Sequence, residues 1–141
     1  MDKKEIPVIV KVAIEYKLGL EDTYLLLAIR DAENGSKGNE FGVQVAKNSN
    51  LETQARYAAR SIKLNRARYA DYVRGEYQGS RRKVTFKEYP NLDFIEFMAY
   101  YGGPTAYGWA PLSVKGNETW AKNVRDRMEY YKKEMAKWQS E

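Results

Sequence analysis

The chain contains no cysteine and no histidine among its 141 residues. Without thiol and imidazole groups it can form no disulfide, no Cys/His zinc site and no catalytic pair built on cysteine or histidine. Any acid–base chemistry must therefore use carboxylates, tyrosine, serine, lysine or arginine. We expect no metal site and no cofactor. The missing cysteines do not identify a compartment, because cysteine-free chains occur on both sides of a membrane.

Long apolar runs are also missing. The apolar stretch near the N-terminus is interrupted by Pro7 and Lys11, and no small-residue cleavage site follows it. A membrane-spanning helix needs about 20 consecutive apolar residues, and a secretory signal needs an apolar segment followed by such a cleavage site. We therefore expect neither a signal peptide nor membrane insertion.

What the chain does contain is an excess of positive charge. It has 24 lysines and arginines against 19 acidic residues, which gives a net charge of +5. This excess predicts attraction to a polyanion, whether nucleic acid, an anionic membrane or a cell-wall polymer. Because no low-complexity linker divides the chain, we expect residues 1–141 to form a single domain with its own hydrophobic core.

Hydrophobic periodicity predicts a mostly α fold. The predicted helices cover residues 7–18, 22–33, 51–73, 92–101 and about 117–138. A strand is the competing prediction for the first of them, because it is rich in β-branched residues. Alternation predicts a short extended segment over residues 41–46, and residues 75–91 are predicted to form a loop or small hairpin. Since helix 22–33 is apolar on nearly every side, we predict a helical bundle around it.

Two of the predicted helices have distinctive faces. The helix over residues 51–73 has a basic face, which we interpret as a solvated surface rather than a polyanion site. That face comprises Arg56, Arg60, Lys63, Arg66, Arg68 and Arg74. The last helix has an apolar and aromatic stripe, which predicts core packing. That stripe comprises Trp120, Val124, Met128, Tyr131, Met135 and Trp138.

A carboxylate stands where the buried helix is predicted to end. Glu33 is followed at once by a turn containing Gly35 and Gly38, which allow a helix stop and a tight return. Burial of a carboxyl group favours its protonated form, which suits a general acid near neutral pH. A carboxylate at a helix C-terminus also opposes the helix dipole, at a cost of roughly 0.3 to 1 kcal/mol. The position therefore indicates a role other than helix stability, whereas Asp31 is expected to face elsewhere.

Three segments together carry a family resemblance. The helix ending in Ala32-Glu33-Asn34-Gly35 resembles one that ends in a Glu-Ser-Gly signature, and Glu40-Phe41-Gly42-Val43-Gln44 resembles a Gly-Leu-Met-Gln turn that lines a sugar cleft. Residues 94–101, 109–111 and 120–124 resemble the C-terminal part of the same proteins. The chain thus resembles the lysozyme-like superfamily, in particular soluble lytic transglycosylases, goose-type lysozymes and their phage-associated relatives.

The resemblance implies an α+β lysozyme-like fold and cleavage of the β-1,4 bond between MurNAc and GlcNAc in peptidoglycan. It implies Glu33 as the general acid and base, acting in lytic transglycosylases without a second group. Glu40 is the candidate second carboxylate, which would permit hydrolysis by water. Gln44, Tyr100 and Tyr101 are the candidate substrate-binding residues, which would hydrogen-bond to N-acetyl sugars or stack on them.

Two other functions stay open. A catalytically inactive lysozyme-like domain would bind the glycan strand, or serve as a phage structural part, without cleaving it. A basic nucleic-acid-binding protein is the less favoured alternative, since no recognised nucleic-acid-binding motif occurs in the sequence. Under the enzymatic interpretation we expect a monomer that is made in the cytoplasm, acts at the cell wall or in a phage particle, and has peptidoglycan as its partner.

Overall fold

The computed structural model describes residues 1–77, 90–101 and 114–139. Within these ranges the chain forms five α-helices and one 3-10 turn, and no strand. The elements are α1 (Glu5–Glu15), α2 (Leu20–Glu33), the 3-10 turn (Gln44–Ala46), α3 (Leu51–Val73), α4 (Phe94–Tyr100) and α5 (Val114–Gln139). The prediction of a mostly helical protein is confirmed.

Helix α2 lies at the centre of the fold. Every residue from Thr23 to Arg30 is buried, and the helix packs against α1, α3 and α5. Its apolar side chains join those of the other four helices in one main core. A helix that is apolar on all sides has to be surrounded by other elements. The predicted buried central helix is therefore present.

Local signals explain where two of the helices begin and end. Helix α3 begins after Asn50, whose side chain accepts a hydrogen bond from the backbone N–H of Thr53 at 2.8 Å, as an N-cap residue does. Helix α2 ends at Glu33 because Asn34 adopts a left-handed conformation with a φ of 46°, which stops the helix. The end of α2 is thus set by the residue directly after the candidate catalytic glutamate.

Residues 41–46 are not extended, so this prediction is wrong. The chain turns at Gly42, where φ is 68°, and then enters the 3-10 turn. The buried side chain of Gln54 bonds to backbone groups here, in the way that a neighbouring strand would. The alternating pattern reflects the burial of Phe41 and Val43 rather than membership of a sheet.

Other boundaries differ less from the predictions. The N-terminal segment is a helix and not the competing strand. Helix α5 begins at Val114, three residues before the predicted start at Asn117. Most of the predicted loop or hairpin over residues 75–91 falls on residues 78–89, which lie outside the described residues, as does the segment 109–111.

A second cluster of buried side chains lies beside the main core. It is almost entirely aromatic, and its rings contact one another at centroid distances such as 5.4 Å between Phe97 and Tyr101. Its buried members are Tyr72, Phe97, Tyr100 and Tyr101. We call this group the aromatic cluster.

None of the helices in the described part of the chain is both long and apolar enough to cross a membrane.

Candidate active site

Glu33 is the last residue of α2 and lies against α5. Its side chain is partly buried, and its Oε1 atom accepts a hydrogen bond from Nε1 of Trp120 at 3.3 Å. Trp120 is itself only 7% exposed and belongs to the main core. The buried helix and the indole together hold this carboxyl group in one place.

Gly42 closes the site from a second side. A Cβ atom at this position would lie 3.1 Å from Oε2 of Glu33, which is closer than the carboxyl group tolerates without moving. The φ of 68° at Gly42 also lies in the region that favours glycine. The backbone can approach the carboxyl group because residue 42 has no side chain.

Burial changes the acidity of Glu33. It raises the pKa from 4.5 to about 7, while the hydrogen bond from Trp120 acts in the opposite direction because it stabilises the ionised form. A carboxyl group with this pKa is protonated in about half of the molecules at neutral pH. It can therefore both donate and accept a proton within the physiological range.

The segment that brings Gly42 to Glu33 is held at both ends. We call residues 34–43 the glycine turn. At its first end, Nη1 of Arg30 donates to the carbonyl oxygens of Gly35 at 3.2 Å and Glu40 at 3.3 Å. The same guanidinium group forms an ion pair with Glu5 of α1. At its second end, Oε1 of Gln54 accepts hydrogen bonds from the backbone N–H groups of Phe41 and Val43.

Gly35 allows the turn to close on itself. A Cβ atom at Gly35 would lie 1.8 Å from the carbonyl oxygen of Asn39, a distance that no side chain tolerates. Gly38 supplies a φ of 88°. Of the two glycines singled out in the sequence, one provides close approach and the other a left-handed conformation, so both are needed for the turn that carries Gly42.

Asp31 faces a different part of α5. Its Oδ2 atom accepts hydrogen bonds from Nε of Arg127 at 2.7 Å and from the hydroxyl of Tyr131 at 2.6 Å. Burial and the hydrogen bond to Asp31 raise the pKa of Tyr131, so this phenol stays a donor. Asp31 therefore serves to join α2 to α5, and the expectation that it faces away from Glu33 agrees with these contacts.

An open cavity of about 450 Å³ adjoins this end of α2. Residues on both sides of Glu33 in the sequence line it, although Glu33 itself does not. The lining comprises Met1, Asp31, Ala32, Asn34, Asn123, Asp126 and Arg127. The surface next to the candidate acid is therefore concave and carries amide, carboxylate and guanidinium groups.

Glu40, the candidate second carboxylate, is buried at 6% exposure. Its backbone carbonyl pairs with Arg30 and Gly35, but its Oε1 atom is buried and accepts no hydrogen bond in the described ranges. A buried oxygen without a donor is uncommon in proteins. Its catalytic role stays a prediction.

The three candidate substrate-binding residues lie in different surroundings. Gln44 is exposed, and its Nε2 atom donates to the carbonyl oxygen of Gly42 at 3.5 Å, so it lies next to the glycine turn. Tyr100 and Tyr101 are 6% and 3% exposed and belong to the aromatic cluster. Their burial argues against the predicted stacking on a sugar, because stacking needs an open ring face.

Two residues of this site were missed at the sequence level. Trp120 was interpreted only as part of the core stripe of the last helix, although it also belongs to a segment that carries the family resemblance. The sequence does not predict the role of Gln54, because a polar residue in a long amphipathic helix is normally exposed. A glutamine placed directly before the buried Ala55 was the only available signal.

The predicted basic face of α3 is partly neutralised by acidic neighbours. Arg56 pairs with Glu15 and Glu52, and Arg66 pairs with Asp22. Arg74 pairs in the same way with Asp71 and Glu76. These ion pairs agree with the interpretation of the face as a solvated surface, since a polyanion site needs lysines and arginines that are available to phosphate or carboxylate groups.

Residues 1–77, 90–101 and 114–139 contain no group of three or more acidic side chains that could hold a metal ion. Comparison of the chain with known protein families, with curated proteins and with solved structures gives no match. The functional assignment therefore depends on the sequence motifs and on the geometry around Glu33.

Proposed function

We propose that the chain is a lysozyme-like glycosidase that cleaves the β-1,4 bond between MurNAc and GlcNAc in peptidoglycan. The observation that carries this proposal is the burial of the Glu33 carboxyl group at the end of the central helix, between Trp120 and Gly42, and this burial raises its pKa to about 7. Cleavage of a glycosidic bond begins with a proton for the leaving oxygen. A carboxylic acid that keeps its proton near neutral pH supplies it.

The reaction then follows from the same side chain. Glu33 gives its proton to the glycosidic oxygen as the C–O bond breaks, and the positive charge that develops on the muramoyl ring is neutralised by attack of an oxygen nucleophile. The carboxylate left at Glu33 removes a proton from that nucleophile and returns to its starting state. A water molecule gives a reducing end, and the C6 hydroxyl of the muramoyl residue gives a 1,6-anhydro end.

The surroundings of Glu33 suit both steps. The close approach of Gly42 limits access of water to Oε2, which keeps the group protonated before the reaction. The indole N–H of Trp120 donates to Oε1, which stabilises the carboxylate after proton transfer. The α+β lysozyme-like fold, the binding role of Gln44 and the second carboxylate at Glu40 belong to the same proposal.

Zymography on purified peptidoglycan tests the assignment. We expect the Glu33→Gln variant to lose clearing by about 1,000-fold or more, within the usual range for removal of a general acid and base. The matched control is Glu15→Gln, because Glu15 is also the last residue of its helix but is exposed. We expect this control to clear peptidoglycan like the wild type.

Product analysis and binding separate the remaining possibilities. Mass spectrometry of the released muropeptides distinguishes reducing from anhydro ends by one water, and Glu40→Gln in the same assay tests the second carboxylate. Equal clearing by the wild type and Glu33→Gln would contradict the assignment. Retention of both proteins on insoluble peptidoglycan without clearing would instead support the alternative of an inactive glycan-binding domain.

A further inference from the structure

Gln54 lies on α3, and its side chain is completely buried. Its Oε1 atom accepts hydrogen bonds from the backbone N–H groups of Phe41 and Val43, each at 3.1 Å. Its Nε2 atom donates to the carbonyl oxygens of Val43 at 3.1 Å and Ala46 at 2.9 Å. One amide therefore uses its full set of strong donors and acceptors on a single stretch of backbone.

These four hydrogen bonds fix the backbone around Gly42, the residue that approaches the Glu33 carboxyl group. Gly42 lies between Phe41 and Val43, whose N–H groups both point at Gln54 Oε1, so the backbone on either side of Gly42 is fixed. On its other side Gly42 faces the Glu33 carboxyl group. A displacement of this backbone would change the space around Oε2 directly.

We propose that Gln54 is a positioning residue, which holds the backbone of Gly42 against the Glu33 carboxyl group and thereby limits the access of water to that group. The catalytic importance of this role rests on the proposed function of Glu33, but the role itself concerns only structure and acidity. Without the amide, four buried backbone groups lose their partners, and water becomes the available substitute. Water that enters the turn would solvate the carboxylate and favour its ionised form.

A substitution of Gln54 by a neutral residue leaves the charged side chains around Glu33 unchanged. Charged side chains on the elements packed around Glu33 include Arg30 and Asp31 of α2, Lys37 and Glu40 of the glycine turn, and Glu118, Lys122 and Arg127 of α5, and the N-terminal ammonium group of Met1 pairs with Asp31. A neutral substitution at residue 54 leaves all of them in place. A shift of the Glu33 pKa in such a variant therefore reports the position of the turn.

The test is a side-chain ¹³C NMR titration of Glu33 in Gln54→Met, with the resonance assigned by comparison with Glu33→Gln. Methionine has nearly the length of glutamine but forms none of the four hydrogen bonds. We expect the Glu33 pKa to fall by about one unit or more, as renewed access to water implies. The alkaline limb of the pH profile of kcat/KM on peptidoglycan, where Glu33 loses the proton that it must donate, should move in the same direction.

The matched control is Asn65→Leu. Asn65 is also a completely buried polar residue of α3, but among the described residues its amide bonds only to Ser61 in the same helix. This variant loses buried polar contacts without touching the glycine turn. We expect the Glu33 pKa to stay at its wild-type value. Equal shifts in both variants, or no shift in a folded Gln54→Met, would overturn the proposal.

A second measurement needs no variant. In the wild-type protein the amide protons of Phe41 and Val43 should exchange with solvent as slowly as those in the buried part of α3, because Gln54 holds them. Fast exchange of both would overturn the proposal even if Gln54→Met fails to fold. A fall of the Glu33 pKa in Gln54→Met, in a protein whose wild type has no lytic activity, would keep the positioning role and reject the proposed function. Lytic activity of the wild type with an unchanged Glu33 pKa in Gln54→Met would do the reverse.

Discussion

The last turn of α2 carries two carboxylates, and α5 contacts them in opposite ways. Asp31 accepts two short hydrogen bonds, one of them from a guanidinium group. Glu33 accepts one longer hydrogen bond from a neutral indole and faces a backbone without a side chain at Gly42. The number and charge of the donors, and not the position on the helix, separate the two residues.

The difference indicates two distinct uses of the same amino-acid chemistry. A carboxylate with cationic and hydroxyl donors is stable as an ion and joins two helices. A carboxyl group that is buried with few donors keeps its proton, and its ionised form costs stability. Active sites typically combine burial with a shifted pKa in this second way. Each prediction below tests one side of the contrast.

The largest expected effect is on the Asp31 side. The Asp31→Ala variant removes the acceptor shared by Arg127 and Tyr131, and we expect a loss of about 3 kcal/mol in the free energy of unfolding, as for hydrogen bonds to a charged group. Urea denaturation measures it. The exposed pair of Lys122 and Asp126 provides the control, since Asp126→Ala should cost less than about 1 kcal/mol. Equal losses would contradict the joining role of Asp31.

The next effect has the opposite sign and depends on pH. Glu33 has a pKa of about 7 in the folded protein against 4.5 for the ordinary group. Between these values the folded state holds a proton that the unfolded state has lost, so raising the pH favours unfolding. The contribution of Glu33 to the free energy of unfolding is therefore fully present below pH 4.5 and is lost as the pH rises through about 7.

The corresponding measurement compares the wild type with Glu33→Gln from pH 4 to pH 8. We expect the wild type to lose up to about 3 kcal/mol of unfolding free energy relative to the variant over this range, from 1.36 kcal/mol per unit of pKa shift. At pH 8 the variant should therefore be the more stable protein. A difference that stays constant with pH would show that Glu33 is not dehydrated in the folded state.

The smallest expected effect concerns the indole. The Trp120→Phe variant keeps an aromatic ring but removes the N–H that stabilises ionised Glu33, so the Glu33 pKa should rise by up to about one unit, the value of a weak hydrogen bond. An NMR titration of the Glu33 side chain measures the change. A fall in pKa would mean that Trp120 acts mainly by excluding water from Glu33.

Prediction from sequence succeeded where the signal was local. The 3.6-residue periodicity predicted α3 with the observed bounds. The prediction of an extended segment over residues 41–46 was wrong. Alternating apolar residues indicate alternating burial, and this pattern is the same whether the backbone bonds to a neighbouring strand or to a buried side chain such as Gln54. Gln54 lies 13 positions from Phe41 in the sequence.

The candidate site divides in the same way. The sequence predicted a partly buried carboxylate at Glu33, and the structure has one at the end of α2, whereas its catalytic role stays a prediction. Tyr100 and Tyr101 were assigned to sugar binding from their place in the chain, but the packing of α3 and α4 buries them in the aromatic cluster. Sequence spacing shows which residues share a helix face, and it does not show what covers that face.

The sequence by itself therefore determined the helical class, the buried central helix and the carboxylate at its end, because these depend on neighbours within a few residues. Only the tertiary structure decided the surroundings of that carboxylate. Trp120 reaches Glu33 from 87 positions away, and Gln54 fixes the turn that brings Gly42 against it. Desolvation depends on every atom that displaces water from a group, and those atoms come together only when distant segments pack.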